Sequence, residues 1–286
     1  MHKKQPLVSI LMANYNNGKY IKEAIQSVFS VTTGAPATGT ASFTQVPASR
    51  FEFSLTATPE FGDNPANGSL SQVMEDRIEG YRNFCNKLWN ASRFVFMNLE
   101  DYKGSCVLDE KNNLSTADCW ILSRLNRATK DVNEALEVFR FNDAALTVYK
   151  FIWNEYCDWY IELAKSKLTG SGPERVAAQN VLIHVLNSAL KLLHPFMPFI
   201  TEEIWQKLPQ NEDSIMVSTF PEFQEERTNA VVEKEMDTVM EVITGIRNIR
   251  GEMNLNPGLK LNVLIKTSGS EIQKTLQNQA SYIREL

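Results

Sequence analysis

The run of residues 76–94 limits the fold of this chain more than any other segment. At 3.6 residues per helical turn it separates into an apolar face and a polar face. The apolar face consists of Phe84, Leu88, Ala91 and Val95, and the polar face of Arg82, Asn86, Asn90 and Arg93, with Lys87 beside it. No acidic residue occurs between Arg82 and Arg93. The spacing predicts a helix that is buried along one side and exposes amides and cations along another.

The polar face suits RNA, because arginine, lysine and asparagine side chains donate hydrogen bonds to phosphates and to base edges. A second candidate is the pair Arg247 and Arg250, which lie three residues apart in a predicted helix and can share a phosphate-facing side. Both sets have a structural alternative. The polar face can be an ordinary solvated surface, and the two arginines can form ion pairs with Glu252 or with a neighbouring helix.

Amphipathic patterns continue along the chain and predict a mainly α fold. The first helix is expected over 71 to about 97, and a second from the capping-box sequence Ser115-Thr-Ala-Asp118 through Phe139. A third is expected to be capped by Asn142, a fourth to begin at Pro173, and a short fifth to cover 201–208. Long helices with short connections predict an antiparallel helical bundle over 71–223.

The pattern changes after residue 223. A helix is predicted over 230–252, a turn over 254–258, a strand over 259–266 and a last helix over 272–286. Leu261, Val263 and Ile265 share one face of the predicted strand. These elements predict a small, truncated α+β extension over 224–286.

Residues 1–30 have a different character. A buried strand is predicted over 7–13, a turn over 14–18 and a helix over 19–29. This isolated βα unit resembles the start of family 2 glycosyltransferases, but no Asp-x-Asp sequence occurs in the chain to hold a sugar nucleotide through a metal. A glycosyltransferase remnant is therefore a remote alternative. Residues 31–70 are rich in Thr, Ala, Gly, Pro and Ser and predict a flexible linker, in which 51–56 alternate as in a short strand.

Five sequence blocks connect the predicted bundle with a known family. The block IEGYRNFCNKLWNASRF (78–94) resembles the start of the anticodon-binding domain of bacterial valyl-tRNA synthetases, which are class I enzymes. The blocks DCWILSRLN (118–126), FRFNDAA (139–145), FIWNEYCDWYIELAK (151–165) and LHPFMPFITEEIW (193–205) follow in order. The resemblance implies that the chain binds the anticodon arm of a valine tRNA. The candidate residues for this contact are those of the polar face and the arginine pair: Arg82, Asn86, Lys87, Asn90, Arg93, Arg247 and Arg250.

The catalytic chemistry of that family is absent from this sequence. Class I synthetases hold ATP with HIGH and KMSKS signatures, and neither occurs here. No catalytic residue and no cofactor are therefore predicted, and ATP and Mg²⁺ are implied only for a complete synthetase. A separate catalytic domain is the second candidate partner. The alternative to tRNA binding is a non-catalytic structural or interaction module.

Composition excludes other classes of function. The net charge of −5 argues against a protein that coats DNA or RNA without specificity. The cysteines at 85, 106, 119 and 157 form no CxxC pair, which predicts free thiols in the cytoplasm and no metal site. No stretch is long and apolar enough to predict a membrane span. Trp120, Trp153, Trp159 and Trp205 fall in apolar helical series and are expected in the core, and His184 and His194 are expected to be structural.

Overall fold

The computed structural model describes residues 40–45, 51–56, 67–102, 114–209, 213–256, 259–267 and 269–285. The predicted βα unit at 1–30 lies outside these residues. Strands β1 (Thr40–Gln45) and β2 (Phe51–Thr56) form an antiparallel hairpin in which Phe43 lies opposite Phe53. The expected strand at 51–56 is confirmed. The first strand is a correction to the predicted linker, because its threonine and phenylalanine residues favour a strand once a partner is present.

Helices form most of the described chain and confirm the mainly α class. They are α1 (Asn67–Met97), α2 (Thr116–Glu137), α3 (Phe141–Lys150), a π-helix (Phe151–Tyr160), α4 (Ile161–Thr169), α5 (Pro173–Leu193) and α6 (Pro198–Trp205). The segments α3, π-helix and α4 follow one another without interruption. This long composite helix contacts α1, α2 and α5, as expected of an antiparallel bundle.

The helix ends follow local chemistry. The Ser115 hydroxyl accepts a hydrogen bond from the Asp118 amide, and the Asp118 carboxylate accepts one from the Ser115 amide, which confirms the predicted capping box. Pro173 opens α5, also as predicted. Asn142 does not cap α3 but lies inside it, since the preceding turn at Phe139 already sets the start of the helix.

The core lies between α1, α2, the composite helix and α5. All four residues of the apolar face of α1 are buried, which confirms the predicted face: Phe84, Leu88, Ala91 and Val95. Burial of a side chain the size of Leu88 stabilises the folded state by about 1.5–3 kcal/mol. The second helix was expected to continue through Phe139, but it ends at Glu137, and Phe139 is 78 % exposed. It has a φ of 58° at the turn between α2 and α3, so its side chain leaves the apolar series of α2.

Helix α5 corrects one expectation from the sequence. By length and composition it could cross a membrane. Inside the bundle, however, 67 % of its most apolar stretch is buried. A helix surrounded by other helices is apolar on nearly all sides, which explains the composition without a membrane.

The extension contains α7 (Ala230–Glu252), α8 (Ser270–Asn278) and α9 (Ala280–Glu285). The strand predicted at 259–266 is not formed, and the described residues there are neither helix nor strand. A strand needs a hydrogen-bonding partner, and the two described strands pair only with each other. Leu264 is accordingly 98 % exposed. The described part of the extension is therefore helical and irregular, not α+β.

A polar cluster joins α7 to α2. The buried carboxylate of Glu233 accepts hydrogen bonds from the Ser123 hydroxyl and from Arg127 Nε, the latter at 2.7 Å. Arg124 lies 3.7 Å from the same carboxylate. Burial alone would raise the pKa of Glu233, but the bonds from Arg127 and Ser123 and the nearby positive charges lower it below the ordinary value of 4.5. The cluster stabilises the charged carboxylate between the bundle and the extension.

The last two helices contact the start of α2. Gln279 Nε2 donates a 2.9 Å hydrogen bond to Thr116 Oγ1, and the Ala117 amide donates to the Tyr282 hydroxyl at 3.4 Å. These bonds satisfy backbone and side-chain groups in the first turn of α2, which has no intrahelical acceptor for its first amides. Gln279 and Tyr282 thus stabilise the start of α2, which lies far earlier in the sequence.

Candidate nucleic-acid interface

The polar face predicted on α1 is turned to solvent. We call Arg82, Asn86, Asn90 and Arg93 the α1 strip; Asn86, Asn90 and Arg93 are exposed, and Arg82 is partly exposed. Helical geometry explains this, because the strip lies opposite the buried face that holds Leu88. Arg82 forms a 2.9 Å ion pair with Glu79 one turn earlier. Within the described part of the chain, Asn86, Asn90 and Arg93 make no side-chain hydrogen bond, so their donors are available to a ligand.

Trp89 completes the strip and was missed in the sequence. It lies three residues after Asn86 and four before Arg93, the spacing that places side chains on one helix face. Its indole is 38 % exposed, and the Lys207 ammonium lies 5.0 Å from the centre of the ring. A cation over one side of an indole is a favourable contact. The signal that could have revealed Trp89 is its helical position, which is apart from the apolar series of Phe84 and Leu88.

Lys87 differs from the other predicted residues. Its side chain is only 24 % exposed, and its ammonium lies 3.9 Å from the centre of the Trp153 ring. The same ammonium forms an ion pair with Asp158. Both partners belong to the π-helix beside α1. Lys87 therefore lies at the edge of the strip, held by the composite helix.

The π-helix accounts for this arrangement. Trp153 and Asp158 are five residues apart, the separation that an i→i+5 hydrogen-bond pattern brings to the same side. In an α-helix the two side chains would point about 140° apart. The unusual winding therefore directs an aromatic ring and a carboxylate toward the same lysine.

The two arginines of α7 have separate partners. The Arg247 guanidinium lies 5.3 Å from the centre of the Trp159 ring, so it reaches the π-helix that also contacts Lys87. Arg250 Nη2 donates a 3.0 Å hydrogen bond to the backbone carbonyl of Leu259. Arg247 thus approaches the bundle, whereas Arg250 holds the chain beyond the end of its own helix. The ion pair with Glu252 that the sequence allowed is not formed among the described residues.

Charge on this surface is largely balanced. Glu79, Asp158 and Glu203 each form an ion pair with a neighbouring cation, namely Arg82, Lys87 and Lys207. Arg93 is the one cation of the strip without an ionic partner among the described residues. A surface of this kind attracts polyanions weakly, so any selectivity must come from hydrogen bonds and stacking.

The tryptophans and histidines divide between core and surface. Trp120 and Trp205 are buried, as predicted, whereas Trp153 and Trp159 are partly exposed and lie beneath cations. His194 Nδ1 lies 2.7 Å from the Thr201 hydroxyl, in keeping with a structural role.

The described ranges show neither a metal site nor a reactive thiol. They contain no group of three His, Cys, Asp or Glu side chains that could hold a metal. Cys85, Cys119 and Cys157 are free thiols, and Cys106 lies outside the described residues. Burial raises the pKa of Cys85 to about 11 and that of Cys157 to about 12, so neither thiol forms a reactive thiolate at neutral pH.

Comparison with known proteins shows the family of the chain. The family model described as the anticodon-binding domain of tRNA ligase matches residues 118–265, which is more than half of the chain. The chain belongs to this family. The match includes α2 to α7 and begins at Asp118, so it covers Arg247 and Arg250 but not the α1 strip.

Individual relatives extend the likeness. The valine–tRNA ligase of Geobacter sulfurreducens is 48 % identical over 239 residues, which are 82 % of this chain and 26 % of the relative. That of Thermotoga maritima is 46 % identical over 247 residues, 81 % of this chain and 28 % of the relative. The chain therefore spans about a quarter of the length of these relatives. Among solved structures, a ternary complex of Agrobacterium radiobacter K84 agnB2 LeuRS, tRNA and LeuAMS matches at a TM-score of 0.38 and 18 % identity, over 53 % of this chain and 17 % of that one.

Proposed function

We propose that this chain is a tRNA-binding module that contacts the anticodon arm, and that its cognate RNA is a valine tRNA. The observation that carries the proposal is the exposed Trp89 between amide and guanidinium donors on the α1 strip, in a chain of the anticodon-binding family. The valine assignment follows the names of the relatives. The module acts in the cytoplasm, where tRNA is charged.

The chemistry of the strip suits unpaired bases. Anticodon bases are single-stranded and can be turned outward, where they stack on aromatic rings and expose their hydrogen-bonding edges. Trp89 offers a ring for stacking, an interaction that contributes about 1–3 kcal/mol per base. The amides of Asn86 and Asn90 can donate to and accept from base edges, and Arg93 can pair with a phosphate or a base.

Aminoacylation is not proposed for this chain. It lacks the two ATP-binding signatures of class I synthetases, so ATP and Mg²⁺ would be bound by a separate catalytic domain. In that arrangement the module positions the tRNA and the other domain performs the chemistry. Binding, rather than catalysis, is therefore the activity to measure.

The test is a titration of the chain with a valine tRNA transcript and with the same transcript carrying a swapped anticodon, at two salt concentrations. We expect tighter binding of the valine anticodon. Trp89→Ala should weaken this binding about 5- to 150-fold, in line with the loss of one stacked base. The double variant Arg82→Ala, Arg93→Ala should bind the valine tRNA transcript more weakly than Trp89→Ala does.

Two variants control for changes that are not specific to the strip. Tyr81→Ala removes an exposed aromatic ring from the same helix but off the strip, and Asn154→Ala removes an exposed amide from the π-helix. Neither should change the preference for the anticodon. Equal, weak and strongly salt-dependent binding of both transcripts would refute anticodon recognition. The balanced charges of the surface would then favour a structural or interaction module.

A further inference from the structure

Lys87 occupies an unusual position beside the α1 strip. It follows Asn86 directly and lies three residues before Asn90, so its side chain starts at the edge of the strip. Its ammonium does not extend into solvent but lies over the Trp153 ring and against the Asp158 carboxylate. A cation that could reach a bound RNA is thus neutralised within the protein.

This ion pair is poorly suited to holding the fold together. The Asp158 side chain is 48 % exposed, and exposed pairs contribute only about 0–1 kcal/mol because water screens them. The hydrophobic contacts between α1 and the composite helix, such as Phe84 against Tyr149 at 4.8 Å between ring centres, do not involve either charge. Exchange of one anionic partner for another would therefore leave the packing intact.

We propose that Asp158 is an internal counter-ion, which holds Lys87 in the free protein and releases it to a backbone phosphate of the bound RNA. The proposal rests on the proposed function, because it places the RNA on the neighbouring strip. Trp153 remains under the ammonium and limits its movement, so that only the anionic partner changes. Asp158 also repels phosphates that approach without engaging Lys87, which lowers the affinity for RNA in the wrong register.

The exchange has a distinct dependence on salt. Each phosphate contact by a free lysine releases counter-ions and adds about 0.7 to the slope of log K against log salt for single-stranded RNA. The released cation comes from the RNA phosphate. In the wild-type protein Asp158 is displaced in the same step and takes up a solvent cation in return, so the net release is small. Lys87 therefore contributes little to the slope in the wild-type protein and its full share when Asp158 is uncharged.

The experiment measures binding of the valine tRNA transcript over a salt series for the wild type, Asp158→Asn, Lys87→Met and the double variant. We expect Asp158→Asn to bind about two- to fivefold more tightly at low salt, the range given by release of an exposed ion pair. Its salt slope should be steeper by about 0.7. In the Lys87→Met background, Asp158→Asn should leave the slope unchanged.

Glu134→Gln is the matched control for net charge. It removes one acid from an exposed pair with Lys130 on α2, a helix with no extensive contact with α1. A purely structural Lys87–Asp158 pair would alter the stability of the fold but not the salt slope. Equal slopes for Asp158→Asn, Glu134→Gln and the wild type would overturn the inference. If Trp89→Ala still weakened binding in that case, anticodon-arm binding would stand; if the wild type failed to bind the transcript, both proposals would fall.

Discussion

Substitution of Glu233 offers a direct measure of how firmly α7 is attached to the bundle. In Glu233→Ala the Ser123 hydroxyl and Arg127 Nε lose their shared acceptor. The Ser123 hydroxyl is fully buried, and it also accepts a 2.8 Å hydrogen bond from the Asn229 amide, so it cannot turn to water.

The size of the effect follows from the exposure of each partner. Loss of the buried bond from Ser123 to a charged acceptor costs about 1.5–3 kcal/mol. The Arg127 side chain is 40 % exposed and can be rehydrated, so its pair with Glu233 adds only about 0.5–1 kcal/mol. The free energy of unfolding should therefore fall by about 2–4 kcal/mol. For a domain of this size the Tm should fall by about 5–12 °C.

Urea unfolding of the wild type, Glu233→Ala and Glu241→Ala at pH 7 would test this reasoning. Glu241 lies on the same helix but is exposed, and a change there should stay within about 0.5 kcal/mol. Glu233→Gln should fall between the two, because its amide oxygen can still accept one bond. The pKa of Glu233 is lowered in the fold, so the advantage of the wild type over Glu233→Gln should be lost as pH falls below 4.5. An effect of Glu233→Ala no larger than that of Glu241→Ala would refute the assigned role.

Three further predictions concern stability. Burial, together with the charges of Arg227 and Lys191, lowers the pKa of His184 from 6.5 to about 4. The unfolded chain therefore takes up the proton first, and the free energy of unfolding should fall by about 2–3 kcal/mol as pH drops from 6.5 to 4. If His184→Gln showed the same pH dependence of unfolding as the wild type, this prediction would be wrong. Phe139→Asn should raise the free energy of unfolding by about 0.5 kcal/mol, because asparagine tolerates the left-handed φ of 58°; the same change at Phe141, where φ is negative, should not stabilise the fold. Ser115→Ala should lower the free energy of unfolding by about 1–2 kcal/mol, measured by heat or urea, because the capping box is lost. Ser115→Thr keeps a hydroxyl at this position and should retain most of the stability of the wild type.

The sequence predicted the features that depend on local periodicity. The buried face of α1, the capping box at Ser115 and the start of α5 at Pro173 follow from spacing and from the chemistry of short segments. Each of these signals is set by residues within one or two helical turns. The same holds for the exposure of the α1 strip, because it lies opposite the apolar face.

Features that depend on residues far apart in the sequence could not be predicted from local spacing. Alternating Leu261, Val263 and Ile265 predict a strand, but a strand forms only when another is beside it. The π-helix is not visible in apolar spacing, since its i→i+5 bonds depend on the helices around it. The contact of Lys87 with Asp158 joins residues 71 positions apart, so no local pattern indicates it. The exposure of Trp89, in contrast, could have been predicted, because its helical position alone separates it from the core.

The attachment of α8 and α9 to the start of α2 has a consequence for folding. Its two hydrogen bonds join residues 163 and 165 positions apart. Closing a flexible loop of that length costs about 4–5 kcal/mol in chain entropy, whereas the helices of the bundle form from near neighbours. We expect the bundle to assemble first and the C-terminal helices to dock last. In the native protein the same helices should detach first, giving a partly open form in which the first turn of α2 exchanges its amide hydrogens faster than the centre of α5.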